Sequence, residues 1–293
     1  MKGGGRTLPS MLRAGEDLLK VEDRLWLLTA ATGKGVYDFA FDRFFACRRP
    51  YVLPDEPIEV VARAGAWPDY AERYRELEAQ GVRLVHSPAQ HLLATELPHW
   101  YPLLEDLTPR SRWFDTPPDA RTVEEQLGWP VFLKGARQTS RHRRSLSIIE
   151  GPEAFRHAMD AYAQDDILHW QQVVCRELRP LRRVDDTQGA DALPRSFEFR
   201  TFWWRQQLVG FGPYWWQGTP YALTPGEERD ALALAGEAAR RVALPFLVVD
   251  VAQEVSGRWI VIECNDGQES GYVGVSPFAL WQRVLDLERE RAG

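Results

Sequence analysis

The chain has 293 residues, 44% of them apolar and 12 of them tryptophan, which suffices for two domains or for one domain with lobes around a cleft. A formal net charge of −6 argues against a general nucleic-acid binder, and the three cysteines, Cys47, Cys175 and Cys264, have neither paired nor metal-ligand spacing. No run approaches the roughly 18 apolar residues of a membrane span, and MKGGGRTLPS lacks the apolar core of a signal peptide, so a soluble, cytoplasmic protein is expected.

Residues 1–20 are Gly-rich and polar and are expected to be loosely ordered. Residues 21–114 read as a smaller α/β domain, with strands at 25–30, 51–53 and 82–85, a helix over 69–80 stopped by Gly81, and two short proline-broken helices. Pro98, Pro102, Pro109, Pro117 and Pro118 place a boundary near 115. The second unit, 115–293, opens with Thr122 and Glu125 as a capping box and a strand over 130–134. A polar loop follows, then a strand at 146–150, a helix over 152–164 and a strand at 170–178. A charged loop over 179–195 leads to a hairpin, SFEFRTFWW and LVGFGPYWW, and to a helix from Thr224-Pro225 to Arg241. The last helix starts at Ser276-Pro277.

Between those two helices runs FLVVDVAQEVSGRWIVIECNDGQESG, residues 246–271. Two β-branched runs flank Ser256-Gly257, a pair suited to a tight two-residue hairpin loop. That register sets Asp250 directly opposite Glu263, with Asn265 on the same side and Cys264 on the other. Like charges facing each other are destabilising. The pair therefore calls for a compensating cation, and three oxygen donors on one face suit Mg²⁺ carrying a nucleotide's phosphates. The plain alternative is a sheet edge whose strands simply end in polar residues.

Only four of the 36 basic residues are lysine, so each lysine is a departure from the chain's preferred base. Lys134 ends the apolar strand WPVFLKG, where an ammonium can meet phosphate as a compact point charge or merely snorkel to the surface. In the loop after it, Thr139, Ser140, His142 and several arginines can close over phosphate oxygens, although a charge run of this kind also reads as solvated surface. Glu198 and Arg200 fall on one side of their strand. They form a surface ion pair, or they serve a ribose and a transferring phosphate respectively. Glu177 ends the strand VVCREL, where it can meet a nucleoside or pair with Arg176 or Arg179.

A strand ending in lysine, a polar loop, a strand with Glu, a strand with Glu-x-Arg, and Asp followed 13 residues later by Glu-x-Asn resemble the ATP-grasp superfamily. NDGQESGY and TPRSRW are most similar to its clade named for an arginine and two lysines. The resemblance implies an α+β fold: two α+β subdomains with ATP between them, preceded by the smaller α/β domain. It implies an ATP- and Mg²⁺-dependent ligase that joins a carboxylate to an amine, small-molecule or peptide, through an acyl phosphate. Lys134 then binds phosphate and Arg200 stabilises transferring charge, both as catalytic residues. Thr139, Ser140, His142, Glu177 and Glu198 complete the ATP site, and Asp250, Glu263 and Asn265 ligate the metal. Family members often carry another lysine upstream of the first core strand. This chain has none between Lys34 and Lys134, and Arg110 or Arg112 stands in that region. A nucleotide-binding regulator without turnover and an ATP-dependent RNA-modifying enzyme are the alternatives, the acidic total favouring the latter least. No membrane partner is expected.

Overall fold

In the N-terminal part of the chain, β1 (Glu16–Val21), β2 (Leu25–Ala30), β3 (Cys47–Arg48), β4 (Ile58–Arg63) and β5 (Val82–Leu84) form a sheet in the order β3-β1-β2-β4-β5. The computed structural model describes residues 11–137, 142–185, 189 and 191–293. Strands β2, β4 and β5 run parallel, and α1 (Tyr70–Glu78) follows β4 as a parallel sheet requires. Two expectations fail here. β1 takes up the last five residues of the stretch expected to be loosely ordered, 1–20, because Leu18 and Leu19 are buried in the core. The strand expected at 51–53 does not extend as one, since Pro50 and Pro54 bracket it, and the β-branched run of β4 takes its place in the sheet.

After α2 (Pro88–Thr95) and α3 (Leu97–Leu104), a second sheet is built from β6 (Ser111–Phe114), β7 (Val131–Gly135), β8 (Ile148–Ile149) and β9 (Val173–Glu177) in the order β6-β9-β7-β8. β6 precedes the boundary expected near 115 yet pairs with β9, so this sheet reaches further back than the prolines suggest. One face is covered by α4 (Ala120–Leu127) and α6 (Pro152–Gln164) through Val123, Leu133, Ile149, Phe155 and Cys175. Asp119, not a Thr122 box, caps α4 through the Thr122 amide. A single turn, α5 (Arg144–Ser147), occupies the start of the strand expected at 146–150.

The third sheet, β10 (Glu198–Trp204), β11 (Gln207–Pro213), β12 (Phe246–Gln253) and β13 (Trp259–Asp266), has the order β11-β10-β12-β13. α3 and α7 (Pro225–Val242) pack against one face through Phe199, Val249, Val251 and Cys264. α7 starts in a complete Thr224–Glu227 capping box. On the other face, Phe202, Phe246 and Val248 meet α8 (Pro277–Ala292) and the first sheet. Among the described residues no helix is long and apolar enough to cross a membrane.

The β12–β13 hairpin closes differently from the sequence expectation. Glu254 pairs with Arg258, leaving a three-residue turn that ends at Gly257 with φ +88°. That choice shifts Val251, Ala252 and Gln253 by one partner, and a bulge between Asp250 and Val251 shifts the ladder back. Asp250 therefore still faces Glu263, through two irregularities that cancel.

Candidate functional site

A cleft of about 1040 Å³ lies between the second and third sheets, at the large end of what small-molecule sites occupy. Alternation along β7 sends Val131 and Leu133 to the helices and Phe132 and Lys134 to the cleft. Gly135, the last residue of the strand, has no room for a side chain, since a Cβ there would lie 2.3 Å from Gln171 Oε1, the atom that accepts the Arg137 amide. From β9 come Arg176 and Glu177, and from the third sheet Glu198, Ile260, Ile262 and Glu263.

Three charged residues sit side by side across β10, β12 and β13, in the order Arg200, Asp250, Glu263. Arg200 donates from Nε and Nη2 to both Asp250 oxygens, at 2.8 and 2.7 Å, and from Nη1 to the Gly271 carbonyl at 3.0 Å. Lys134 reaches across from the second sheet and binds Glu263 Oε1. The chain thus supplies its own cations, one per carboxylate, and the expected metal-free repulsion does not arise. Lys134 is no snorkelling surface lysine either, being only 4% exposed.

Burial pulls the Arg200 pKa down, but Asp250 outweighs it and holds the guanidinium above its ordinary value. Burial raises the Asp250 carboxyl despite Arg200. A two-bond fork to a permanently charged guanidinium keeps it ionised at neutral pH nonetheless. Burial also pushes Glu263 up, and Lys134 overcomes this to leave it below the usual carboxylate range.

Glu263 forms part of the cleft wall, whereas Arg200, Asp250 and Asn265 do not. Asn265 follows Glu263 on the same strand face, where its side chain helps to hold the Glu263 carboxyl down, and among the described residues its buried Nδ2 meets no acceptor at full hydrogen-bond geometry. Among the described residues, no group of three His, Cys, Asp or Glu side chains is placed to hold a metal ion by itself. A cation here would find Glu263 and the Asn265 amide oxygen, with Asp250 joining them only through an oxygen that Arg200 gives up, and would draw further ligands from phosphate, as Mg²⁺ does.

Glu177 pairs with Arg179 at 2.7 Å, and Arg179 also holds Glu254 at 2.6 Å, tying the end of β9 to the β12–β13 turn. His142 is open to the cleft yet surrounded by its walls. Desolvation and then Lys134 hold its pKa down at about 4, and its Nδ1 lies 3.1 Å from Ser147 Oγ. Thr139 and Ser140 lie outside the described residues. Arg112 faces the same way as Cys175, towards the helices, and Arg110 donates outward to the Leu127 carbonyl at 3.1 Å, so neither reaches the cleft.

Glu198 is 6% exposed and accepts from Ser196 Oγ at 2.7 Å. Burial, then Asp250, raises its pKa to about 8. The folded state therefore binds a proton that the unfolded chain releases near its ordinary value, so stability falls as pH rises through this window towards 8. Glu198→Gln should flatten the melting temperature between pH 5 and about 8 and exceed the parent at the upper end. A parent slope retained in the variant would refute that origin.

Two groups escaped the sequence reading. Arg176 enters the sequence reading only as a partner for Glu177, although alternation from Val174 aims it into the cleft. Behind Asn265, His86 and His91 both contact Asp266 Oδ2, at 2.8 and 3.0 Å, and these contacts hold the buried Asp266 carboxyl well below its usual range against desolvation. Nothing in the spacing of the two histidines announces this.

A family model described as an ATP-grasp domain, R2K clade family 3, matches residues 102–284. Among solved structures, a RimK domain protein ATP-grasp from Sphaerobacter thermophilus DSM 20745 is 15% identical over 78% of each chain, with a TM-score of 0.52. The ATP-grasp ligase PsnB complexed with minimal precursor, Mg and ADP is 17% identical over 86% of this chain and 84% of its own, with a TM-score of 0.52. PsnB with precursor peptide PsnA2 and AMPPNP is 16% identical over 83% and 80%, with a TM-score of 0.51. At these identities the likeness is one of fold. No curated protein matches the chain.

Proposed function

Because the chain belongs to the ATP-grasp family, R2K clade family 3, and has its α+β fold, we propose that it is an ATP- and Mg²⁺-dependent ligase joining a carboxylate to an amine. The observation that carries this reading is the meeting of Lys134 from one sheet with Glu263 from the other, with Arg200 and Asp250 alongside. Phosphoryl transfer asks a protein chiefly for positioning and charge stabilisation, and this cleft concentrates both.

In this reading the base lies against Phe132, Ile148 and Ile260, and Glu198 meets the ribose hydroxyls. Lys134 turns from Glu263 to the phosphates, releasing that carboxylate for the metal. Asp250, Glu263 and Asn265 would hold Mg²⁺, which screens phosphate charge when bound. A substrate carboxylate oxygen attacks the terminal phosphorus, forming an acyl phosphate as ADP departs. The amine then attacks the carbonyl carbon, a proton leaves the nitrogen and inorganic phosphate is released. Arg200 stabilises charge on the transferring phosphate or on the carbonyl oxygen. PsnB was solved with a precursor peptide, which supports including peptides among the acceptors to be tried.

Purified protein given ATP, Mg²⁺ and pools of amino acids and peptides should release ADP only when an acceptor is present. Nucleotide binding with no turnover in any pool would support a regulator in place of a ligase.

A further inference from the structure

Among the described residues, the arginine on β9 stands apart from the other cations in and behind the cleft. Lys134 has Glu263, Arg200 has Asp250, and Arg179 has Glu177 and Glu254. Arg176, 5% exposed and part of the cleft wall, makes no ion pair with any carboxylate among the described residues. Its donors meet neutral oxygens instead: Nε to Ser111 Oγ at 3.2 Å, Nη2 to Thr108 Oγ1 at 2.6 Å and Nη1 to the Ile262 carbonyl at 2.8 Å. Both hydroxyls spend their own protons elsewhere, Ser111 on the Pro109 carbonyl and Thr108 on the Val261 carbonyl, so each is fixed as an acceptor.

These three bonds hold the guanidinium in place, leave two of its five N–H groups without a partner among the described residues and do nothing to its charge. Burial accordingly pulls its pKa down to about 10, and Glu263 offsets only part of that. A buried charge without a counter-charge is costly, so a fold that positions one this firmly on a cleft wall has prepared a place for an anion.

The register says where along the cleft that anion lies. Arg176 pairs with Phe132, and two residues earlier Val174 pairs with Lys134. Arg176 is therefore displaced by about 7 Å along the strands from Lys134, towards the apolar end formed by Phe132, Ile148 and Ile260. That offset separates the near and far phosphates of a nucleoside triphosphate whose base occupies the apolar end.

We propose that Arg176 binds the phosphate attached to the nucleoside, leaving the distal phosphates to Lys134. The assignment rests on the cleft being the nucleotide site. It also supplies from β9 a second phosphate cation in a chain with no lysine between Lys34 and Lys134.

Calorimetric titration of adenosine, AMP and ATP into the parent, Arg176→Met and Arg176→Lys tests this. The parent should prefer AMP to adenosine. Arg176→Met should lose at least tenfold of that preference while binding adenosine as the parent does, and Arg176→Lys should keep part of it. Arg176→Met should also melt no lower than the parent without ligand, because it removes an uncompensated buried charge. A merely structural arginine gives the opposite pair: a lower melting temperature and an unchanged AMP preference, which would overturn the proposal. Should the methionine variant fail to fold, Arg176→Gln, which keeps a donor for Ser111, gives the same comparison. A parent that binds none of the three ligands refutes the nucleotide reading itself, an outcome distinct from retained AMP preference in the variants.

Discussion

Arg200→Ala is expected to lower folding stability by about 3–5 kcal/mol, because it strips Asp250, 1% exposed, of both bonds that compensate its charge. Asp250→Asn should act in the same direction by leaving Arg200 buried beside a neutral amide. Urea unfolding of the ligand-free protein measures both. The paired replacement Arg200→Met with Asp250→Leu should recover much of the loss, since exchanging a whole buried ion pair for apolar groups is often neutral. It should not recover turnover. If Arg200 stabilises charge that develops only during transfer, turnover falls far more than ATP affinity in the single variant. Equal losses in turnover and affinity would reduce Arg200 to a binding residue.

Lys134→Arg is expected to weaken nucleotide binding by about 1–3 kcal/mol, although arginine is the base this chain otherwise prefers. Lys134 is 4% exposed and ends against Glu263, in a space that takes a compact ammonium. A planar guanidinium needs more room and presents its donors in fixed directions. Lys134→Ala should lose at least as much affinity and should also destabilise the free protein, because Glu263 then faces Asp250 with no cation of its own. Nucleotide titration with melting curves of the ligand-free variants checks both. Arginine accepted without loss of affinity would remove Lys134 from the phosphate site.

Much of the site was legible in the sequence because it is local. The β12–β13 hairpin brings Asp250 and Glu263 together over a handful of residues, and period-two alternation puts Asn265 beside them. A two-residue loop at Ser256-Gly257 implies the observed pair, yet the chain does not use that loop. The observed turn is one residue longer and the bulge absorbs the difference, a compensation invisible to periodicity. The helix starts at Thr224-Pro225 and at Pro152 were likewise readable, since a helix start depends on its own next few residues.

The sequence by itself determined the family resemblance, the donor types and the faces of individual strands. Only the tertiary structure decided which charge meets which. Arg200 finds Asp250 from 50 residues away and Lys134 finds Glu263 from 129 residues away. Neither pairing follows from the local pattern, because sheet order and the approach of two sheets are set by burial of their far faces. Arg176 shows the same limit from the other side. Its alternation in VVCREL says that it points into the cleft, but that no carboxylate among the described residues meets it there is a property of packing, since an uncompensated charge is defined by everything that surrounds it.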